Sequence, residues 1–322
     1  MKTNHGNGLV ADICKEQQPD RATLRINGIE VEDTFAEAFT MRATRVIVTA
    51  SRPVLVDAAV TAFTGYATSV IGCDAEAARE STLDRYSTPD GRPGASVLLF
   101  AFDRKSLEKA VVNRVGQTIM TCASTACFSG LKSADGVEIR VGGSLRFFGD
   151  GQQTSKKFGD RRYWRIPVMD GEFICEDRFG VVSGVAGGNL IFVGKDPDMV
   201  LDAALSAASA AAAVDDLILP FPAGVVRSGS QVGSKYPKLR ASTNVSWCPT
   251  LATRPQTSLR PGENCAYELV MDGLSREPVE EGMLRALKAA SRFPLSRITA
   301  GNYGGKLGPH HIYLKNLLDG EG

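Results

Sequence analysis

The sequence predicts an α+β fold of two internally duplicated α/β sandwich lobes. Three observations predict it. A strand–helix–strand order runs twice through the first half, and the same order returns in the second half. The length, 322 residues, is enough for two domains with a core each. Such a split order of strands and helices is typical of a ferredoxin-like sandwich.

Residues 1–22 are polar, include Gln17-Gln18-Pro19-Asp20, and read as a flexible leader. Order begins at Leu24, where apolar and polar residues alternate about an Asn27-Gly28 turn, a hairpin signal. Asp33 can cap a short helix from Thr34 to Phe39, and Arg45 to Ala50 is a β-branched strand. Pro53 is placed to open a helix to about Phe63, since its fixed φ suits a first helical turn. A strand from Thr68 to Gly72 follows. Ala95–Phe102 reads as a buried strand, Lys105–Val115 as an amphipathic helix and Gln117–Cys122 as another strand.

The second half repeats the theme with strands at Phe179–Ser183 and Leu190–Gly194 and a helix at Asp198–Val214. A strand at Cys265–Asp272, a helix at Glu277–Arg292 and a strand at Arg297–Ala300 complete it, and His311–Leu318 closes the chain. The boundary falls between about 148 and 165, giving lobes of 23–155 and 156–322. The halves share element order rather than residue identity.

Composition excludes several function classes. Lys plus Arg number 37 against 36 Asp plus Glu, so no global field points to nucleic acid. The longest weakly polar stretch, Ala203–Val214, is too short to span a bilayer, and the N-terminus lacks the apolar core of a signal peptide. Seven scattered cysteines without CxxC spacing, and only three histidines, predict reduced thiols in a cytoplasmic protein and no metal site.

Chemistry concentrates in loops. Between Leu219 and Cys265 lies a long segment rich in Gly, Ser and Thr, including Gly233-Ser234-Lys235 and Ser242-Thr243-Asn244. Such residues bring backbone N–H groups and hydroxyls close to a ligand, while Arg227 and Lys235 add positive charge that suits a polyanionic coenzyme tail. A surface loop that needs glycine for its turns has the same composition. A second cluster, Thr299–Gly308, contains Asn302, Gly304, Gly305 and Lys306. It follows a strand but lacks the Walker pattern and any helix behind it. Gly184–Asn189 reads as a strand-to-strand turn, and Phe147–Gly151 is a third glycine site at the lobe boundary.

Glu268 stands mid-strand in Cys265-Ala-Tyr-Glu-Leu-Val-Met-Asp272. Alternation puts it on one face with Ala266 and Val270, opposite Tyr267, Leu269 and Met271. A carboxylate so placed is either at an exposed edge or a buried acid with a raised pKa. The second is what a general acid/base needs near neutral pH. Cysteine nucleophiles lack a partner histidine. Asp33 and Glu37, four apart, would share one side of the short helix, where capping and solvation explain them.

Seven motifs resemble the formylmethanofuran–tetrahydromethanopterin formyltransferase family. They are Asp33–Phe39, Asp90–Gly94, Phe147–Gly151, Gly184–Asn189, Val232–Lys235, Ala241–Asn244 and Ala300–Gly308. The resemblance runs from about residue 24 to 318. It implies two ferredoxin-like lobes, no metal or tightly bound prosthetic group, and formyl transfer between methanofuran and tetrahydromethanopterin as coenzyme substrates. It also implies homotetramers in archaeal members. Arg162–Phe173 and Val226–Ser230 look closer to bacterial members, which work within a hetero-oligomeric formyltransferase/hydrolase complex and run formyl from the pterin towards formate. The family's key acid sits in a Tyr-Glu-hydrophobic strand before an Asn/Asp-Gly-Leu turn, so the role carries to Glu268, before Asp272-Gly273-Leu274. Three positions depart from the family: Ala223 where glycine is usual, Val245 where aspartate is common and Gln231 where lysine is common.

Overall fold

The computed structural model describes residues 24–132 and 135–320; the leader expected at 1–22 lies outside them. The chain opens with the predicted hairpin, β1 (Leu24–Ile26) and β2 (Ile29–Val31), paired antiparallel. Asn27 and Gly28 both take positive φ, as a two-residue turn that follows strand twist requires.

The expected helix at Thr34–Phe39 is instead the start of β3, a 15-residue strand from Phe35 to Thr49. The stretch Phe-Ala-Glu-Ala-Phe carries a period of 2 as readily as a helical turn, and tertiary pairing decides. Ala36 and Ala38 enter the core, while Glu37, Phe39 and Met41 share the other face. The helix begun by Pro53 is α1 (Pro53–Thr64). Thr68–Gly72 is not a strand but a pair of turns closed on the Ser69 carbonyl, and the strand lies later, at β4 (Glu76–Leu83). β5 (Gly94–Ala101) is buried throughout.

Helix α2 (Arg104–Arg114) is capped by Asp103, whose side chain accepts from the Ser106 N–H. It runs on into a π-helical turn at Val115–Ile119, so the strand expected at Gln117–Cys122 is displaced to β6 (Ala126–Ser129). β-branched residues suit either state here, and burial of Val115 and Ile119 against the first core settles it. Next come β7 (Glu138–Ile139), the short α3 (Val141–Leu145), β8 (Thr154–Phe158), β9 (Arg161–Val168), β10 (Gly171–Glu176) and β11 (Phe179–Gly180).

The turn expected at Gly184–Asn189 is a bulge inside one long strand, β12 (Val182–Gly194), whose register against its partner shifts between Ala186 and Gly188. Helix α4 (Pro197–Ala211) follows, then the short strands β13 (Leu217–Ile218), β14 (Val225–Val226), β15 (Gln231–Val232) and β16 (Ala241–Ser242). β17 (Cys265–Gly273), α5 (Arg276–Ala290), β18 (Arg297–Thr299), β19 (His310–Tyr313) and α6 (Leu314–Asp319) complete the described chain.

In the first half β6, β3, β5 and β4 lie side by side in that order. In the second, β18, β12 and β17 do, with β13 and β14 beyond β17. The two sets join through antiparallel pairing of β3 with β12, from Phe39↔Ala186 to Ala43↔Val182. One core gathers α1, α2 and the first set. A second gathers α4, α5 and the second set, and takes in Val31, Ala36 and Ala38 from the start of the chain. Among the described residues no helix is long and apolar enough to cross a membrane.

Candidate active site

The face of β17 turned away from α4 and α5 is where the chemistry collects. Leu269 and Met271 enter the core, so alternation turns Ala266, Glu268 and Val270 the other way. β12 supplies Asn189 opposite Val270 and Ile191 opposite Glu268, and β14 sets Val226 on the other flank of Glu268. Three pieces of chain wall this face: the long loop after β14, the glycine loop after β18, and the β3–β4 side of the first lobe.

Glu268 is half-buried and lines a small cavity with Ile191, Arg227, Gly229, Asn244 and Trp247. Burial among these neighbours pushes its carboxyl up to about 7, because little water reaches it to solvate the charge. Trp247 is itself held by Arg297, whose guanidinium sits 5.1 Å from the ring centre. Arg297 is buried between Glu263 and Glu32, so the pair fixes one wall firmly.

Next along the same face is a larger cavity of about 250 Å³ between the two halves of the molecule. Its wall is mostly apolar, with Phe39, Met41, Val70, Phe102 and Val270, and Glu76, Asn189 and Tyr303 add polar groups. Behind two of its lining residues, Glu76 and Gly187, Asp272 is fully buried, its Oδ1 accepting from the Gly187 N–H at the bulge. Burial raises the Asp272 carboxyl well above the ordinary range, and the neighbouring Glu76 carboxylate raises it further. Burial raises the Glu76 carboxyl as well, and Asp272 Oδ2 is buried without an N–H or O–H partner.

The glycine loop is organised by Glu37. This side chain is 1% exposed, and its two oxygens accept four backbone N–H groups: Tyr303 at 2.6 Å, Gly305 at 2.9 Å, Leu307 at 2.6 Å and Gly308 at 2.7 Å. Burial pushes its carboxyl up, but the four donors outweigh that and hold it below the ordinary carboxylate range. Asn189 pins the loop's entry, accepting from the Gly301 N–H at 2.5 Å and donating to the Gly301 carbonyl at 3.0 Å.

Of the residues singled out from sequence, Glu268 and Asn244 line one cavity. Ser242 lies in β16, paired with Gln231 of β15, and Thr243 follows it on the surface. Gly233, Ser234 and Lys235 follow β15 in the same hairpin; Val232 just before them reaches the larger cavity, and the Gly233 N–H returns to the Arg240 carbonyl. In the second cluster, Asn302 donates to Thr34 and Phe35, the Gly304 N–H donates to Asn302, and Gly305 is held by Glu37. Lys306 is exposed. The loop's N–H groups are thus largely spent within the protein rather than turned to a ligand. Sequence reasoning misses Glu37, Asn189, Tyr303 and Trp247 as parts of the site. The signal for Glu37 is lost once its segment is taken for a helix. Among the described residues no group of three or more His, Cys, Asp or Glu is placed to hold a metal ion.

Comparison with known proteins gives this arrangement its context. The family model described as formylmethanofuran-tetrahydromethanopterin formyltransferase matches residues 24–168, and that of its proximal lobe matches residues 171–317. The chain is 48% identical to a component of the formyltransferase/hydrolase complex of Methylorubrum extorquens over 304 residues, covering 91% of this chain and 97% of that one. It is 48% identical to the formylmethanofuran–tetrahydromethanopterin formyltransferase of Methylococcus capsulatus, covering 91% and 99%. The crystal structure of the Methylorubrum extorquens formyltransferase/hydrolase complex with methylofuran contains a chain that superposes with a TM-score of 0.89, at 48% identity, over 92% of this chain and 99% of that one. With both halves matched and relatives this similar along nearly their whole length, the chain belongs to the formylmethanofuran–tetrahydromethanopterin formyltransferase family.

Proposed function

We propose that the chain moves a formyl group between a ring nitrogen of tetrahydromethanopterin and the amine of methanofuran, with Glu268 as the general acid/base. The observation that carries this is a carboxyl with a pKa of about 7 lining a small cavity on the sheet face that also carries the larger cavity between the two lobes. An acid poised there is close to half ionised at neutral pH, so it can take a proton and return it in one turnover.

In the pterin-to-amine direction the neutral amine nitrogen attacks the formyl carbon, and the carbonyl electrons move to oxygen. The attacking nitrogen passes its proton to ionised Glu268. The bond from carbon to the pterin nitrogen then breaks, the carbonyl re-forms, and the pterin nitrogen takes the proton from Glu268. The same group serves the reverse reaction. With the glycine loop's N–H groups engaged by Glu37, Asn189 and Asn302, the Arg227–Gly229 segment lining the Glu268 cavity is the source of oxyanion donors. The apolar cavity of about 250 Å³ suits a flat heterocycle, and Asn244, Ser242, Thr243 and the Gly233–Lys235 hairpin flank the approach of the coenzyme tails. In this reading the exposed Gly304 and Lys306, in the same loop as Asn302 and Gly305, meet the outer part of a coenzyme. Holding two coenzymes in one cleft supplies a proximity contribution at least as large as that of proton transfer.

The strand orders β6-β3-β5-β4 and β18-β12-β17-β13 support reading both lobes as ferredoxin-like, each a β-α-β-β-α-β unit. Similarity to a component of the Methylorubrum extorquens complex supports a chain that works in a hetero-oligomer with hydrolase partners. The experiment is transfer from formyl-tetrahydromethanopterin to methanofuran by the purified chain, alone and with those partners, with formyl-tetrahydrofolate as the control donor. Transfer with the pterin donor only is expected. Binding without transfer in either form would make this a non-catalytic carrier-binding protein.

A further inference from the structure

The glycine loop and Glu37 carry an inference that rests on the role proposed for Glu268 and deepens it. Tyr303, in that loop, lines the larger cavity beside Val270, the residue two along from Glu268 on the same face. It packs against Phe39 with ring centres 6.3 Å apart, and the charge of Glu268 reaches its phenol. Nothing helical or sheet-like holds Tyr303 there: residues 301–309 have no regular structure. What holds them is the Glu37 carboxylate, with two N–H donors on each oxygen, together with Asn189 at the entry. Gly304 and Gly305 take positive φ, which lets the backbone turn its N–H groups inward. At the exit Gly308 lies flat on β3, where a Cβ would come within 2.4 Å of the Ala38 carbonyl oxygen.

We propose that Glu37 is a positioning residue for formyl transfer: its ionised carboxylate folds residues 301–308 into the wall that seats Tyr303 beside Glu268. A neutral Glu37 cannot do this, because a carboxylic acid offers a donor where a donor already points. The titratable and charged groups around it are His311 opposite it on β19, His310 one step along, Glu76 across the cavity, and Tyr303 and Lys306 in the loop itself. Without the wall, water reaches Glu268, and its acidity returns towards that of an ordinary glutamate.

The test compares the parent with Glu37→Gln and Gly308→Ala, the first removing the charge and the second lifting the loop exit. Amide hydrogen exchange should show residues 303, 305, 307 and 308 protected in the parent and exposed in both variants, while β17 stays protected. The transfer rate should fall about 10–100-fold, and the inflection that Glu268 gives the pH–rate profile should move to lower pH. If a variant does not fold, the parent alone decides: loop protection should disappear on acidification before that of β3. Unchanged loop protection, or variants that keep both the parent's rate and its inflection, would overturn the proposal. A parent profile without any inflection that Glu268→Gln removes would instead overturn the reading of Glu268, leaving the exchange result to judge Glu37.

Discussion

Two carboxylates beside the same cleft are driven in opposite directions by their surroundings. Burial alone acts on the Glu268 carboxyl, and its pKa rises to about 7. Glu37 is buried more deeply yet stays ionised, because four N–H groups converge on it. The consequences for stability differ in sign. For Glu268 the unfolded chain ionises first, near pH 4.5, so folding loses stability as pH rises from there to about 7 and carries a constant penalty above. Glu268→Gln should therefore be more stable than the parent at pH 8, by about 1–3 kcal/mol once partial solvent access is allowed for, and equal to it near pH 4. Denaturant unfolding at the two pH values checks this, and a variant less stable at pH 8 would contradict it. Glu37 has the opposite linkage: its contribution is present above the unfolded pKa and is lost as pH falls through the lowered folded one.

At the scale of elements, legibility follows how local the determining interaction is. Pro53, the Asn27-Gly28 turn and the apolar runs of β5 and β17 carry their own signals, and those elements form where the sequence places them. Phe35–Phe39 does not, since its small and aromatic residues fit a helical turn in isolation. Only pairing with β12 and β19 makes it a strand and turns Glu37 to the glycine loop. Glu268 is legible because alternation in β17 is local. The wall around it is not, because Glu37 and Tyr303 are brought together by chain separated by 266 residues. Gly184–Asn189 reads as a turn because its glycines mark a break, and they do so as a bulge. Gly188 admits close approach of α5, where a Cβ would meet Val279 at 2.2 Å. Gly188→Ala should lower stability by about 1–3 kcal/mol, read from the denaturant midpoint. The departure at Ala223 has a structural counterpart, because this residue sits at φ 54°, in the left-handed region. Ala223→Gly should gain about 0.5–1 kcal/mol after the entropy of the added glycine is subtracted, and a loss would show that the alanine makes contacts outweighing its strain.

At the scale of the molecule, the two halves are not independent bodies joined by a linker. β3 belongs to the first sheet by its pairing with β5 and β6 and to the second core through Ala36 and Ala38. Arg45 on that strand ion-pairs with Glu80 in the first half and Asp216 in the second. Breaking either lobe therefore exposes a sheet edge and part of the core of the other. Calorimetry should show a single unfolding transition, and two well-separated transitions would contradict this coupling. The cleft is built at the same junction, since Glu76, on its wall, meets the buried Asp272 from the opposite half.

The role proposed for Glu268, moving the proton in formyl transfer, is tested most directly by one substitution. Single-turnover transfer from formyl-tetrahydromethanopterin to methanofuran is measured for the parent and for Glu268→Gln at pH 7, with thermal unfolding and coenzyme binding followed in parallel. The predicted result is a rate lower by about 10²–10⁴-fold in a variant that unfolds no earlier than the parent and still binds both coenzymes. A folded variant that transfers formyl within a factor of about two of the parent would contradict it, because loss of a general acid/base removes roughly a hundredfold or more.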